Sequence, residues 1–241
     1  MKVFDNFDVI ENFMKFDDTQ SYYKFCVIVR NKDGLTPLIS KKSKSGEKLI
    51  KEWYVDSIEY YNRVKPEMIA LANAVRGRLY MTLERKSMKK TIVEFQTYTT
   101  EVVKRLIFND KDQIKKPHRW VRSITSDAST SEHDYRVWMY DVDAKNGFVK
   151  LALEQFLGER VQNVWTLYTP NGWHIFTMRT YKPSTNWKEY VGDLAIKLLR
   201  EDYPNASIKA AQELVHIIED IKVESNQLGL VYFNKGESND K

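Results

Sequence analysis

The sequence predicts an α+β fold in two parts, a smaller N-terminal α/β module over residues 1–125 and a second half over residues 126–241. Three observations carry this expectation. Short apolar stretches with strand alternation are interleaved with segments whose apolar residues recur every three or four positions. A chain of 241 residues with 42 % apolar and 13 % aromatic side chains has enough to bury for one large domain or two small lobes forming one compact unit. The polar stretch Asn109 to Ser131, with Lys111, Lys115, Lys116, Arg119 and Arg122, reads as the connection between the halves.

In the first half, Lys24 to Arg30 carries the run Phe25-Cys26-Val27-Ile28-Val29 and reads as a strand. Ser40 to Lys48 has no apolar periodicity and reads as a basic loop. Pro66 suits the first turn of a helix that reaches about Val75, with Met68, Ile69, Leu71 and Ala72 inward. Arg78 to Glu84 alternates Leu79, Met81 and Leu83 with polar neighbours, which is a strand pattern. From Ser87 a long helix carries Ile92, Phe95, Val102, Val103 and Leu106.

The second half is more regular. Val137 to Tyr140 is a strand that runs into Asp141-Val142-Asp143, and Phe148 to Leu157 is a helix. Asn163 to Thr169 and Trp173 to Met178 are strands joined by the tight turn Pro170-Asn171-Gly172. Ser184 can cap a helix bearing Trp187, Val191, Leu194 and Leu198, and a shorter helix runs from Asn205 to about Val215. Ile217 to Glu224 reads as a strand and Leu228 to Phe233 as its hairpin partner. Setting the extra helix aside, the order is strand, helix, strand, strand, helix, strand. That βαββαβ order is the ferredoxin-like, RRM-type pattern.

Composition narrows the function classes. The 14 Tyr, 11 Phe and 6 Trp need burial, which excludes disorder as the main state. Cys26 is the sole cysteine, so neither an internal disulfide nor a cysteine-based zinc module can form. No run of about 18 apolar residues spans a membrane, and Met1 to Phe16 has no apolar signal core. An intracellular, cytoplasmic protein is therefore expected, neither secreted nor membrane-bound. The charge of +5 and the pI near 9.0 permit a nucleic-acid partner without demanding one.

The strand order makes a geometric prediction. In that topology the first strand lies between the third and the fourth, antiparallel to both. Its end, bearing Asp141 and Asp143, then sits beside the starts of the other two, bearing His174 and Asp220. Two carboxylates one residue apart share a strand face at ~5–7 Å and repel unless a cation lies between them. Hard oxygen ligands of this kind favour Mg²⁺ or Mn²⁺, ions that recruit substrate phosphates. If Trp173 and Ile175 face the core, His174 faces the acidic pair and can donate to a phosphate. Glu219, Asp220 and Glu224 compete for the role of third acid. Taken singly, each feature also fits a solvated strand end or a histidine bonded to a carbonyl.

The segments "WMYDVDAKN", "YTPNGWHIF" and "IEDIKVES" resemble the three signature strands of the archaeo-eukaryotic primase superfamily, which includes the primase-polymerases. The resemblance spans roughly Val137 to Phe233, and the compact length is similar to that of phage and plasmid members. It implies a DNA primase or polymerase that transfers nucleotides from (d)NTPs to a 3′-hydroxyl on a DNA template during replication. It further implies two divalent ions on Asp141, Asp143 and Asp220, with His174 and Asn171 on the incoming triphosphate. Lys145, Lys222 and Arg78 are candidates for neutralising phosphates by proximity. The basic stretches Lys41 to Lys51 and Lys104 to Arg122 are candidates for template binding, with His118, Trp120 and Tyr135 as stacking residues. No G-x-x-x-x-G-K-[ST] loop is present, so unwinding falls to a separate helicase. The same residues leave three alternatives open: an inactive, nucleic-acid-binding replication accessory of that family, a metal-dependent nuclease, and a protein-interaction module.

Overall fold

The computed structural model describes residues 2–33, 46–108, 117–178 and 183–235. Over them the chain is α+β, with two antiparallel sheets and seven α-helices. Its N-terminal part comprises β1 (Val3–Asp5), α1 (Phe7–Phe13), β2 (Ser21–Arg30), β3 (Glu47–Val55), α2 (Ile58–Ala74), β4 (Arg78–Thr82), β5 (Lys86–Ser87) and α3 (Met88–Ile107). After α4 (Pro117–Ser126) come β6 (Val137–Val142), α5 (Gly147–Gly158), β7 (Val164–Tyr168) and β8 (Trp173–Met178). The chain then forms α6 (Trp187–Asp202), α7 (Ile208–Glu219), β9 (Lys222–Glu224) and β10 (Leu228–Asn234). No helix among the described residues is long and apolar enough to cross a membrane.

The second sheet has the order β7-β8-β6-β9, so β6 lies between β8 and β9 and is antiparallel to both. Its strands alternate as strands should. Tyr140, Val142, Trp173 and Ile175 face α5, α6 and α7 in one core, while Val137, Met139, Leu167 and Phe176 face the other way. This second face joins α1, α2 and the first sheet in a separate core, where the Phe13 ring sits 5.0 Å from Phe176 and 5.1 Å from Trp165.

The first sheet has the order β1-β10-β4-β2-β3, with β5 paired to the start of β2. Here the structure corrects the sequence reading. The apolar run at Leu228 is not the hairpin partner of the preceding strand; β10 pairs with β4 on one side and β1 on the other. The half over residues 126–241 therefore gives its last strand to the sheet of the other half. The preceding strand is also shorter than expected, because Leu214 and Ile218 are buried at helical spacing and α7 continues through Glu219. Likewise Pro66 does not open a helix. It lies inside α2, whose true start is capped by the Ser57 hydroxyl accepting from the Tyr60 amide. Tyr61, Val64, Met68 and Ala72 form a buried stripe on α2 that outweighs the cost of an interior proline. The α6 cap is Asn186 without a side-chain bond, rather than Ser184.

Lys86 fastens the two sheets together. Its side chain is fully buried, and its ammonium donates to the Asp127 carbonyl at 2.9 Å, Ser131 Oγ at 2.8 Å and Asn226 Oδ1 at 2.6 Å. Asn226, in the turn between β9 and β10, has a positive φ of 55° and donates its amide to Glu84 at 3.0 Å. Burial pulls the Lys86 pKa down to about 8, against the nearby Glu84 charge. Replacing Lys86 by Met takes the donor from Ser131 Oγ and Asn226 Oδ1, while the Asp127 carbonyl keeps Thr130 Oγ1 at 2.7 Å, and urea unfolding should show a loss of roughly 2–4 kcal/mol. A loss below about 0.5 kcal/mol would show that the ammonium is not holding this turn.

A cleft between a carboxylate wall and an arginine wall

A cleft of about 330 Å³ opens where the D-x-D end of the second sheet meets the first sheet. One wall holds Asp141, Asp143, His174 and Glu224, and the other holds Arg30 with its partner Glu47, Arg78 and Tyr80. The turn residues Thr169, Pro170 and Asn171 border it.

The carboxylate wall follows from register. Asp141 lies directly opposite His174 on β8 and Lys222 on β9, and opposed residues of antiparallel strands share a face. Trp173 and Ile175 are buried on the other face, as the alternation required. His174 Nε2 stands 3.4 Å from Asp141 Oδ1. Nδ1 is buried with no hydrogen-bond partner among the described residues. Burial lowers the His174 pKa to about 4, opposed by the Asp143 charge and aided by Arg78 and Arg30. The imidazole is therefore neutral near pH 7. A native pKa below the ordinary 6.5 means the unfolded chain binds the proton first. The His174 contribution to stability is thus complete above pH 6.5 and declines as the pH falls toward 4. An NMR titration of the metal-free protein should show His174 still neutral at about pH 5.5, where an ordinary histidine is mostly charged. A midpoint near 6.5 would contradict the burial argument.

The tight turn reaches the acids only because residue 172 is glycine. The Gly172 amide donates to Thr169 Oγ1 at 3.0 Å, and the Thr169 amide donates to the Gly172 carbonyl at 3.0 Å. A Cβ at position 172 would lie 1.9 Å from the Val142 carbonyl oxygen and 2.8 Å from the Ala144 nitrogen. The close approach of two backbones thus sets Asn171 and His174 beside the Asp141–Asp143 strand end.

The arginine wall belongs to the first sheet. Arg78 is opposite Ile28, and both point to the face that carries Tyr80 and Leu230. Arg78 donates Nε to Asp33 Oδ2 at 2.8 Å and Nη2 to Oδ1 at 2.5 Å, a fork that fixes its plane. Arg30 donates to the Tyr80 hydroxyl at 3.1 Å and pairs with Glu47.

Five of the expected residues, Asp141, Asp143, His174, Asn171 and Arg78, therefore meet in one place. Three do not line it. Asp220 is the exposed C-cap of α7, with its carboxylate turned to His216 at 3.9 Å. Lys222 shares the Asp141 register but is exposed outside the cleft. Lys145 is exposed and neighbours Lys2 and Lys235. Of the competing acids, Glu224 is the one in the cleft, because it lies within β9 opposite Met139, two residues along from the Asp141 pair. Arg30 and Tyr80 were not anticipated. Both lie in predicted strands, and only the pairing of β2 with β4 shows that they face the acids.

Of the residues expected to bind a template, Lys41, Lys42, Lys44, Lys111, Lys115, Lys116 and the His118 side chain lie outside the described residues. Tyr135 is engaged internally, its hydroxyl bonded to Asp17 and its ring 3.5 Å from the Arg85 guanidinium. Trp120 packs against Tyr98 with ring centroids 5.2 Å apart.

No group of three or more His, Cys, Asp or Glu side chains among the described residues converges closely enough to hold a metal ion by itself. Mg²⁺, however, is commonly held by one or two carboxylates with water and substrate phosphates completing the shell. Asp141 and Asp143 are a pair of carboxylates of that kind at the cleft, with Arg30 and Arg78 among its other lining residues. Compared with protein-family models, curated proteins and solved structures, the chain matches none.

Proposed function

We propose that the chain is a metal-dependent nucleotidyltransferase of the primase-polymerase type, with a ferredoxin-like catalytic sheet, that adds (d)NTPs to a DNA primer-template. The observation that carries this reading is the opposition of the two walls. Carboxylates for a cation stand across a single cleft from Arg30 and Arg78, which are paired with Glu47 and Asp33 and would meet the phosphates of a metal-bound triphosphate by sharing or exchanging those partners. The β7-β8-β6-β9 order supports the ferredoxin-like assignment, because it puts β6 at the centre and its acidic end at the cleft.

Each residue then has a chemical task. Asp141 and Asp143 would hold Mg²⁺ or Mn²⁺, and Glu224, which lines the same cleft, replaces Asp220 as the candidate third acid, reaching the ion through its water shell. A divalent ion bound there lowers the pKa of an attacking hydroxyl and offsets the charge of leaving pyrophosphate. His174, neutral, has one N–H to give, to the Asp141 carboxylate or to a phosphate oxygen. Arg78, whose Nε and Nη2 are held by Asp33, keeps only its remaining N–H groups for a phosphate, Arg30 would exchange its Glu47 partner for one, and Asn171 adds an amide donor at the rim. Template DNA and a separate helicase are the partners this function calls for.

Incubation with labelled primer-template, dNTPs and Mn²⁺ tests the proposal. Longer products support it. Unchanged primer would point to a DNA-binding accessory and shortened primer to a nuclease using the same acids; either result overturns the proposal. The assignment of the third acid has its own test. Glu224→Gln should reduce extension roughly 10- to 100-fold, whereas Asp220→Asn should leave it within about two-fold. The reverse order would restore Asp220 to the site.

A further inference from the structure

A cluster of three lysines lies beyond the rim of the cleft, outside the acids and arginines described above. Lys235 lies directly across from Lys2, where β10 and β1 end, and its amide donates to the Lys2 carbonyl at 3.0 Å. Lys145, two residues past Asp143, neighbours both. All three are exposed, and none forms an ion pair with a described residue. Like charges directly opposite across a strand pair repel, so the three ammonium groups oppose rather than assist the pairing of these strand ends. The Lys2 ammonium, with help from Lys235, holds Lys145 below the ordinary lysine range.

A pair of stacked rings connects this cluster to the edge of the cleft. The Arg78 guanidinium, buried and paired with Asp33, lies 4.9 Å from the Phe233 ring, Phe233 stacks on Phe4 at 6.2 Å, and the Lys2 ammonium lies 5.3 Å from Phe4. The exposed lysines thus sit on the same edge of the first sheet that reaches the cleft at Arg78.

We infer that Lys2, Lys145 and Lys235 form a binding surface for the sugar-phosphate backbone of a nucleic-acid strand entering or leaving the cleft. The partner is a polyanion: Lys2 and Lys145 are close enough to share one backbone phosphate, and Lys235 beside them extends the contact along the strand. As an account of a strand serving that cleft, the inference rests on the nucleotidyltransferase reading. Binding at the lysines nevertheless needs neither metal nor nucleotide.

The experiment is a fluorescence-anisotropy titration of labelled single-stranded oligothymidylate across a KCl series, without metal or nucleotide. It compares the native chain with the triple variant Lys2→Ala/Lys145→Ala/Lys235→Ala. A second variant, Lys197→Ala/Lys209→Ala, removes exposed charge from α6 and α7. Three lost phosphate contacts should reduce the slope of log K against log salt by about 2 and weaken binding roughly ten-fold at low salt. The α6/α7 variant should stay close to native. Equal losses in both variants, or an unchanged slope in the triple variant, overturn the inference. So does a triple variant whose only defect is a raised KM for dNTP, since that would assign the lysines to the triphosphate. Asp141→Asn separates the two proposals, because it should abolish extension while leaving the salt slope of oligonucleotide binding unchanged.

Discussion

Asp141→Asn and Asp143→Asn should each lower metal-dependent primer extension by at least about 10²–10³-fold while the protein unfolds at close to the native denaturant midpoint. The expectation has two parts, and each has a structural reason. Asp143 is exposed and Asp141 half-buried at a strand end, so neither supports the core. Removing one of two like charges on the same face also relieves repulsion, which leaves the fold neutral or slightly better off. The chemical effect is large for the complementary reason. An amide carries no charge, and a site that shares its ion with substrate phosphates has no spare carboxylate to replace the missing one. Primer-extension rates with circular dichroism and urea midpoints on the same samples check both parts. Variants that extend normally contradict the assignment of the acids, and variants that lose activity by unfolding give these residues a structural role instead.

Gly172→Ala should have the largest effect of an added methyl group at any of the described glycines. The added carbon would sit 1.9 Å from the Val142 carbonyl, more than 1 Å inside contact, and the obstructing atoms are backbone. Relief requires β8 to move off β6 at the Val142–Trp173 pair, next to the Asp141–His174 pair. A cost of roughly 3 kcal/mol or more is expected, with loss of activity from whatever fraction stays folded. Gly147→Ala is the internal comparison. Its Cβ meets nothing within 4 Å at the start of α5, so stability should change by less than about 1 kcal/mol, in the stabilising direction. Thermal unfolding of the two variants distinguishes them, and equal behaviour would mean that the turn and strand end are not in contact.

Much of the site was legible because it depends on alternation and chain order. The apolar alternation in β6, β7 and β8 located three strands, and the βαββαβ order put the D-x-D end beside His174. What was illegible depends on non-local choices. Asp220 and Glu224 have the same parity, so facing alone cannot choose between them. The choice is made by where α7 stops, and that depends on Leu214 and Ile218 finding the α5–α6 core. The run Leu228 to Phe233 would look the same on either sheet. It joins β4 because Gly229 lets the strand pass close to Leu83 and Leu167, where a Cβ would meet their methyl carbons at 2.6 and 2.7 Å. Ile92, Phe95, Val103 and Leu106 illustrate the opposite error. Their helical period is real, yet on α3 they remain exposed and only Val102 is buried. Period reports a helix and its stripe, but not whether another element covers it.

In the proposed function one cleft brings a divalent cation and a triphosphate together between the two sheets. Crystals grown with Mn²⁺ and a non-hydrolysable dNTP, measured at the manganese absorption edge, test it most directly. An anomalous peak is expected at Asp141 and Asp143, with Glu224 rather than Asp220 as the nearest further acid and the phosphates toward Arg78 and Arg30. Nucleotide bound elsewhere, or bound in the cleft with no manganese at Asp141 and Asp143, would contradict it.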